Sequence, residues 1–504
     1  MKTDHSLEQL VQKYLDGLVS RVELKQLNGR LRSDEAARQW FLELLNVDSA
    51  IAASLVDVPD AGQVVSVPAS GVAAASDSPE VSPLPRRGGI TMAAPVLVAS
   101  CLSLLLAIGL LLPSGQPFAR VVSATGVSGM KVTDVADGAW QAIDAGTVEL
   151  VTARNARIVI EAPARFRFLS DQKLQLDSGR LAANVPPSAR GFTVVTPSGD
   201  AVDLGTRFGI DVLDDGQAEI HVFEGEVIAQ PTLGLEHRSL VGGQAVRLTD
   251  GADTNRELRS AAFIHPDEIG SLHAALAYGQ QGRSATALEK LRRDPALIAL
   301  LDFEDGLLPD GTYRMLQGRW PGSRAPEFSR DGDHMKLNVG GDQEWPHLTL
   351  AAWVRLDRLG DPYQSLLHTD GWDRSNPGQV HWMVTRYTTM RLALYGNTLA
   401  ADAIEPDGYP DSRTSVLPEQ GRWVHLASVY DAEQKTARFY LNGRFDSETR
   451  QAVAHPARLG AAQIGNWNRH DRKLSGRIDE LVLLGRGLDD DEIYRLYAAG
   501  NPYR

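Results

Sequence analysis

The chain has 504 residues and one cysteine, Cys101. A lone thiol excludes a disulfide framework and any zinc site built on cysteine. Catalytic signatures are absent as well. There is no H-E-x-x-H, no G-x-x-x-x-G-K-[ST], no G-x-S-x-G, and no G-x-G-x-x-G opening a helix after a strand. Positive charge is in the minority: 51 Lys and Arg against 64 Asp and Glu give a net charge of −13 and a pI near 5.4. That balance argues against direct nucleic-acid binding by attraction to phosphate. Asp57–Gly89 has no aromatic residue, and Pro59, Pro68, Pro79, Pro83 and Pro85 interrupt any helix. Such a segment reads as a disordered linker, residues 57–89.

One stretch lacks charge altogether and organises the rest. Ile90–Pro113, ITMAAPVLVASCLSLLLAIGLLLP, carries no Asp, Glu, Lys or Arg. At about 1.5 Å per residue it is long enough for a hydrocarbon core of about 30 Å, and it is apolar on every face. It is read as a transmembrane helix, residues 90–113. Arg86 and Arg87 precede it and the next basic residue is Arg120. Positive charge stays on the cytoplasmic side, so the N-terminus is expected inside and the large C-terminal part outside.

Residues 1–56 read as three short helices. Leu7, Leu10, Val11, Tyr14, Leu15 and Leu18 recur at helical spacing; Ser20 and Glu23 form a capping box; Ser33 opens a third helix. Trp40, Phe41, Leu44 and Leu45 are the densest apolar cluster. A bundle this small buries little surface by itself, so those four residues are expected to meet a partner.

After the span the hydrophobic period changes to two. Arg165-Phe166-Arg167-Phe168 alternates, and Phe208, Ile210 and Val212 are followed by a turn at Asp214-Asp215-Gly216, then Ile220 and Val222. The pattern predicts a hairpin within an all-β sandwich, barrel or solenoid over 120–250. Residues 251–295 read as a helical connector, with Pro266 at a helix start and Lys290, Arg292 and Arg293 near a helix end. Residues 296–502 return to strands. Asn442-Gly443 is a tight-turn pair after the alternating Phe439 and Leu441, and Trp353 and Trp423 are expected between two packed sheets. A closing helix, Asp489–Ala499, places Ile493, Leu496 and Tyr497 on one face. The fold class is therefore multidomain and mainly β, with a small helical bundle and one membrane helix.

Five phrases occur in an order that resembles the FecR family: Leu174–Leu181, Phe192–Gly199, Val202–Phe208, Val222–Val227 and Leu240–Val246. The resemblance covers roughly Ser123–Thr249 and implies a membrane-spanning regulator of anti-sigma-factor type. Such a regulator carries a periplasmic signal to an extracytoplasmic-function sigma factor. The phrase Leu10…Tyr14-Leu15-Asp16-Gly17 is similar to the sigma-interacting segment of these regulators. With no cysteine to spare, it would use a zinc-free helical surface. Later phrases, including Leu348–Val354, Gly421–Tyr430, Ala437–Arg444 and Gly476–Leu483, resemble a laminin-G-like, concanavalin A-like jelly roll.

The resemblances imply an inner-membrane protein, not an enzyme, with a sigma factor inside and a glycan or protein ligand outside. Trp372 and Trp467, in polar loops, are the candidate glycan-binding residues. Asp302, Glu304 and Asp479 are candidate calcium ligands, since members of the jelly-roll fold often hold that ion near the domain ends. The other reading is a membrane-anchored carbohydrate-binding or cell-envelope protein without a transcriptional role.

Overall fold

The computed structural model describes residues 117–128, 138–232, 236–249, 253–270, 280–304, 308–372, 376–403, 408–467 and 472–503. The predicted bundle, linker and span lie outside these residues, and with them Trp40, Phe41, Leu44 and Leu45. Among the described residues no helix is long and apolar enough to cross a membrane. Leu112–Arg504 is one compact unit.

The unit contains two β bodies. In the first, among the described residues, thirteen strands from Ala119–Ser128 to Thr254–Arg256 hydrogen-bond into one sheet. Pairing is antiparallel except between Lys173–Asn184 and Thr193–Thr196. The sheet curls on itself, because side chains from its far strands share one core: Phe166, Leu176, Phe208, Ile210, Ile220, Val227 and Leu248 are all buried there. The predicted hairpin is present, with Ile210 opposite Ile220. Each large apolar side chain so buried contributes about 1.5–3 kcal/mol.

The second body is a two-sheet, jelly-roll-like sandwich. Among the described residues, a nine-stranded sheet includes Gly476–Leu484, His347–Leu356 and Trp423–Asp431, and a six-stranded sheet includes His334–Trp345, Ala457–Ile464, Tyr363–Thr369, Val380–Thr385 and Met390–Leu394. Leu350, Val354, Leu426, Trp382, Leu392 and Ile464 meet between them. Asn442 and Gly443 are both left-handed, and the hairpin closes on the pair Leu441 and Arg444. The closing helix runs Asp490–Gly500. Asp489 caps it, accepting from the Glu492 amide at 2.7 Å while Glu492 accepts from the Asp489 amide at 3.0 Å.

Two expectations are corrected. Trp353 and Trp423 are not between the sheets. Ala352 and Val354 point inward, so the intervening Trp353 faces the other side of its strand, where it stacks on Tyr497 of the closing helix at 5.7 Å. Trp382 fills the inter-sheet core instead, its indole N–H donating to Ser428 Oγ at 3.0 Å.

The connector, too, is only partly helical. Gln280–Arg292 is a helix, but Thr254–Arg256 pairs with the strand Ala245–Leu248 and Ser260–Ala262 is a single 3-10 turn. Tertiary burial overrides helix propensity here. The Phe263 ring is buried in a slot that exists because residue 209 is glycine; a Cβ there would lie 2.5 Å from the ring.

Candidate functional site

The outer face of the six-stranded sheet carries a cluster of chemistry-bearing side chains. Alternation along Val380–Thr385 puts Val380, Trp382 and Val384 into the core and leaves His381 and Met383 on the opposite face. His368 lies directly across from His381 on the neighbouring strand, with ring centroids 4.2 Å apart. Arg472 reaches over both, donating to His368 Nε2 at 2.9 Å and His381 Nδ1 at 3.2 Å.

A guanidinium only donates, so those two ring nitrogens must be acceptors. His368 therefore carries its proton on Nδ1, 2.6 Å from Ser365 Oγ, and His381 carries its proton on Nε2. Burial pushes the His381 pKa down to about 3, with the Arg472 charge adding to it and the Thr369 carbonyl opposing weakly. Burial, then the neighbouring His381 ring and the Arg472 charge, hold His368 well below the usual imidazole range. Both imidazoles are neutral at pH 7 and serve as ring surface.

Aromatic side chains gather on this base. Trp372 stacks on His381 with centroids 3.9 Å apart and planes 21° apart, and its edge meets Tyr395 at 5.1 Å. Trp467 approaches His381 edge-on at 4.9 Å. Arg472 lies over Trp467 at 4.8 Å and over Tyr363 at 5.0 Å. The two tryptophans singled out from the sequence thus meet around one histidine, and both are half-buried. The Trp467 loop is braced by Asn466, whose side-chain oxygen accepts from the Trp467 amide at 2.8 Å. Among the described residues, the Trp467 indole N–H has no acceptor and Gln463 Oε1 has no donor.

Beside this platform lies a cleft of about 410 Å³ lined by Asp310, His334, Lys336, Asn338, Asp370 and Gln463. Gln463 donates to Asp370 at 2.7 Å, which ties the cleft to the loop carrying Trp372. A ring-shaped face flanked by polar edges suits a ligand with an apolar face and hydroxyl groups around it.

His368, His381, Tyr395, Gln463 and Arg472 were not singled out in the sequence. Their signal is faint: polar residues inserted in apolar strands, as in Val380-His381-Trp382-Met383-Val384.

The three candidate calcium ligands each have protein partners. Asp302 pairs with Arg292, and Asp479 accepts from the Arg319 amide at 2.8 Å. Glu304 accepts from the Arg324 amide at 3.1 Å, and burial, aided by the Asp479 and Asp302 charges, pushes its pKa up to about 7. Among the described residues, no three His, Cys, Asp or Glu side chains are arranged to hold a metal ion.

The turn at Asp203–Thr206 in the first body is structural. The Asp203 carboxylate accepts from the Gly205 amide at 2.7 Å and from the Thr206 hydroxyl, locking the Val202–Phe208 phrase.

Residues 140–228 match the family model for FecR protein, and residues 330–494 match that of the concanavalin A-like lectin/glucanases superfamily. The chain thus carries a FecR-type domain followed by a concanavalin A-like domain. No curated protein sequence matches. Among solved structures, a provisionally assigned anti-sigma factor from Parabacteroides distasonis aligns at 16% identity and TM-score 0.22, covering 25% of this chain and 62% of that one. The match therefore spans about three fifths of that protein's length. A provisionally assigned carbohydrate binding protein from Bacteroides ovatus aligns at 14% identity and TM-score 0.26, covering 34% of this chain and 46% of the other. Domain 4 of the extracellular arabinanase AbnA from Geobacillus stearothermophilus, solved with arabinotriose, aligns at 16% identity and TM-score 0.27, over 39% and 86% of the two chains.

Proposed function

We propose that this protein is a single-pass inner-membrane regulator of anti-sigma-factor type whose jelly roll binds a glycan outside the membrane. The observation that carries the regulator reading is the FecR-type domain at 140–228, placed after the charge-free run 90–113. The N-terminal bundle, with Trp40, Phe41, Leu44 and Leu45, would hold an extracytoplasmic-function sigma factor on the cytoplasmic side. The Trp372–His381–Trp467 platform supports glycan as the ligand, its stacking surface taking a sugar ring and the Asp370–Gln463 cleft a neighbouring residue. The protein acts by binding rather than by catalysis.

The test has two arms. A periplasm-dependent reporter is fused after Arg504 or at Val56, and the sigma factor encoded beside the gene is assayed with and without the full-length protein. Activity only in the Arg504 fusion, together with sigma output that changes on deletion and on Phe41→Ala, supports the reading. Activity only at Val56 refutes the topology. A correctly oriented protein that leaves the sigma factor unaffected assigns the chain to the envelope glycan-binding class without a transcriptional role.

A further inference from the structure

The two β bodies meet across charge. On the sheet of the FecR-type domain, Glu161, Arg180, Asp211 and Glu219 stand opposite one another in consecutive register pairs, forming one cross-strand row. On the jelly roll, Arg314, Glu327, Arg477 and Arg355 form a second such row. The first row has three carboxylates and one guanidinium; the second has three guanidiniums and one carboxylate. The rows interlock. Arg180 binds Asp211 at 2.6 Å in its own domain and Glu327 at 2.8 Å across the interface. Arg314 reaches back to Asp211 at 2.8 Å, and Arg477 clasps Glu161 with both terminal nitrogens.

The connector seals the seam. Ala262 O accepts from Arg180 at 2.9 Å and from Arg477 at 3.1 Å, while Arg355 donates to Ala261 O at 2.9 Å and Phe263 O at 3.0 Å. Arg180, Asp211, Glu161, Glu327 and Arg477 are each no more than 2% exposed. Burial alone would push Asp211 and Glu327 up. The guanidiniums, Arg180 first, overcome it and hold both carboxyls well below the usual range.

Charges this deeply buried are tolerated only when every partner is in place, because removing one leaves an unpaired ion in a medium of low polarity. Neither row is satisfied by its own domain. A hinge opening between the bodies would expose both rows at once, so no small-angle motion is cheap. A second contact lies beside the first strand after the predicted span. Gly126, at the end of Ala119–Ser128, touches the jelly-roll turn Pro321-Gly322 so closely that a Cβ would sit 2.3 Å from the Gly322 amide nitrogen.

We propose that the jelly roll and the FecR-type domain are a single cooperative body, locked by these facing charged rows, with no hinge between the ligand face and the strand Ala119–Ser128. If the jelly roll is the sensor proposed above, occupancy reaches that strand as movement or assembly of the whole body. A change of angle between domains is not available to it.

The test is hydrogen exchange on the full-length chain without ligand across a denaturant series, so its outcome is independent of whether glycan binds. In the wild type, amides of Lys173–Asn184 and of Gly476–Leu484 should lose protection at the same denaturant concentration. In Arg477→Met, protection should fall tenfold or more in both domains, including Arg157–Ser170, which contributes Glu161. Adding Glu161→Met should restore part of that loss, since the stranded carboxylate is then gone. Two separate wild-type transitions would overturn the proposal, as would an Arg477→Met effect confined to the jelly roll. If Arg477→Met fails to fold, the wild-type series alone decides.

Discussion

Acid should unlock the aromatic site through His381. The ring is buried and its pKa is depressed to about 3, against about 6.5 in an unfolded chain. Because the folded value lies below the unfolded one, the unfolded state takes up the proton first as pH falls. The stabilising contribution is fully present above about pH 6.5 and is lost as pH drops towards 3. Its slope is about 1.4 kcal/mol per pH unit per imidazole, so between pH 6.5 and 4 this one residue should remove on the order of 3 kcal/mol.

His368 and His425 are buried neutral as well, and carboxylates such as Glu219 are held low and also favour neutral pH, so the wild-type slope is a sum. His381→Gln isolates one share. It loses the stacking of Trp372 and is less stable at pH 7, yet its stability should fall less steeply below pH 6, and the two curves should converge by about pH 4. Urea unfolding midpoints from pH 7 to 4, followed by tryptophan fluorescence, read this directly. Parallel curves would show that His381 titrates in the folded protein as it does in the unfolded chain, and would refute the depressed pKa.

Two further outcomes are expected. Replacing Trp372 and Trp467 together by Ala should abolish retention on a glycan array. Because both are half-buried in a packed cluster, it should also lower stability by about 2 kcal/mol each, roughly half the cost of truncating a fully buried aromatic; unchanged glycan binding would remove the platform from the binding site. Asp489→Ala should cost about 1 kcal/mol by uncapping the closing helix, read as a lowered melting temperature, and Asp489→Asn should restore most of it; equal loss in both would refute the cap.

Local signals in the chain were sufficient wherever structure depends on neighbours in sequence. The alternation through Phe208, Ile210 and Val212 and back through Ile220 and Val222 specifies a hairpin. Asn442-Gly443 specifies its turn, and Asp489 with Glu492 the start of the last helix. Phrases spread along the chain were enough to separate two β bodies.

What tertiary structure alone decided is which face of each strand meets what. Trp353 reads from sequence as a core residue, but parity places Ala352 and Val354 inside and turns Trp353 towards Tyr497. Trp372 and Trp467 were visible as aromatics in polar loops. That they meet over His381, with Arg472 fixing both imidazoles as neutral, depends on strands far apart in sequence lying side by side. The same holds for Glu161 and Arg477: each reads as an ordinary charged residue in a β pattern. Only register within each sheet, and the packing of one sheet's row against the other's, makes them partners, because a charge carries no record in sequence of the ion that will neutralise it.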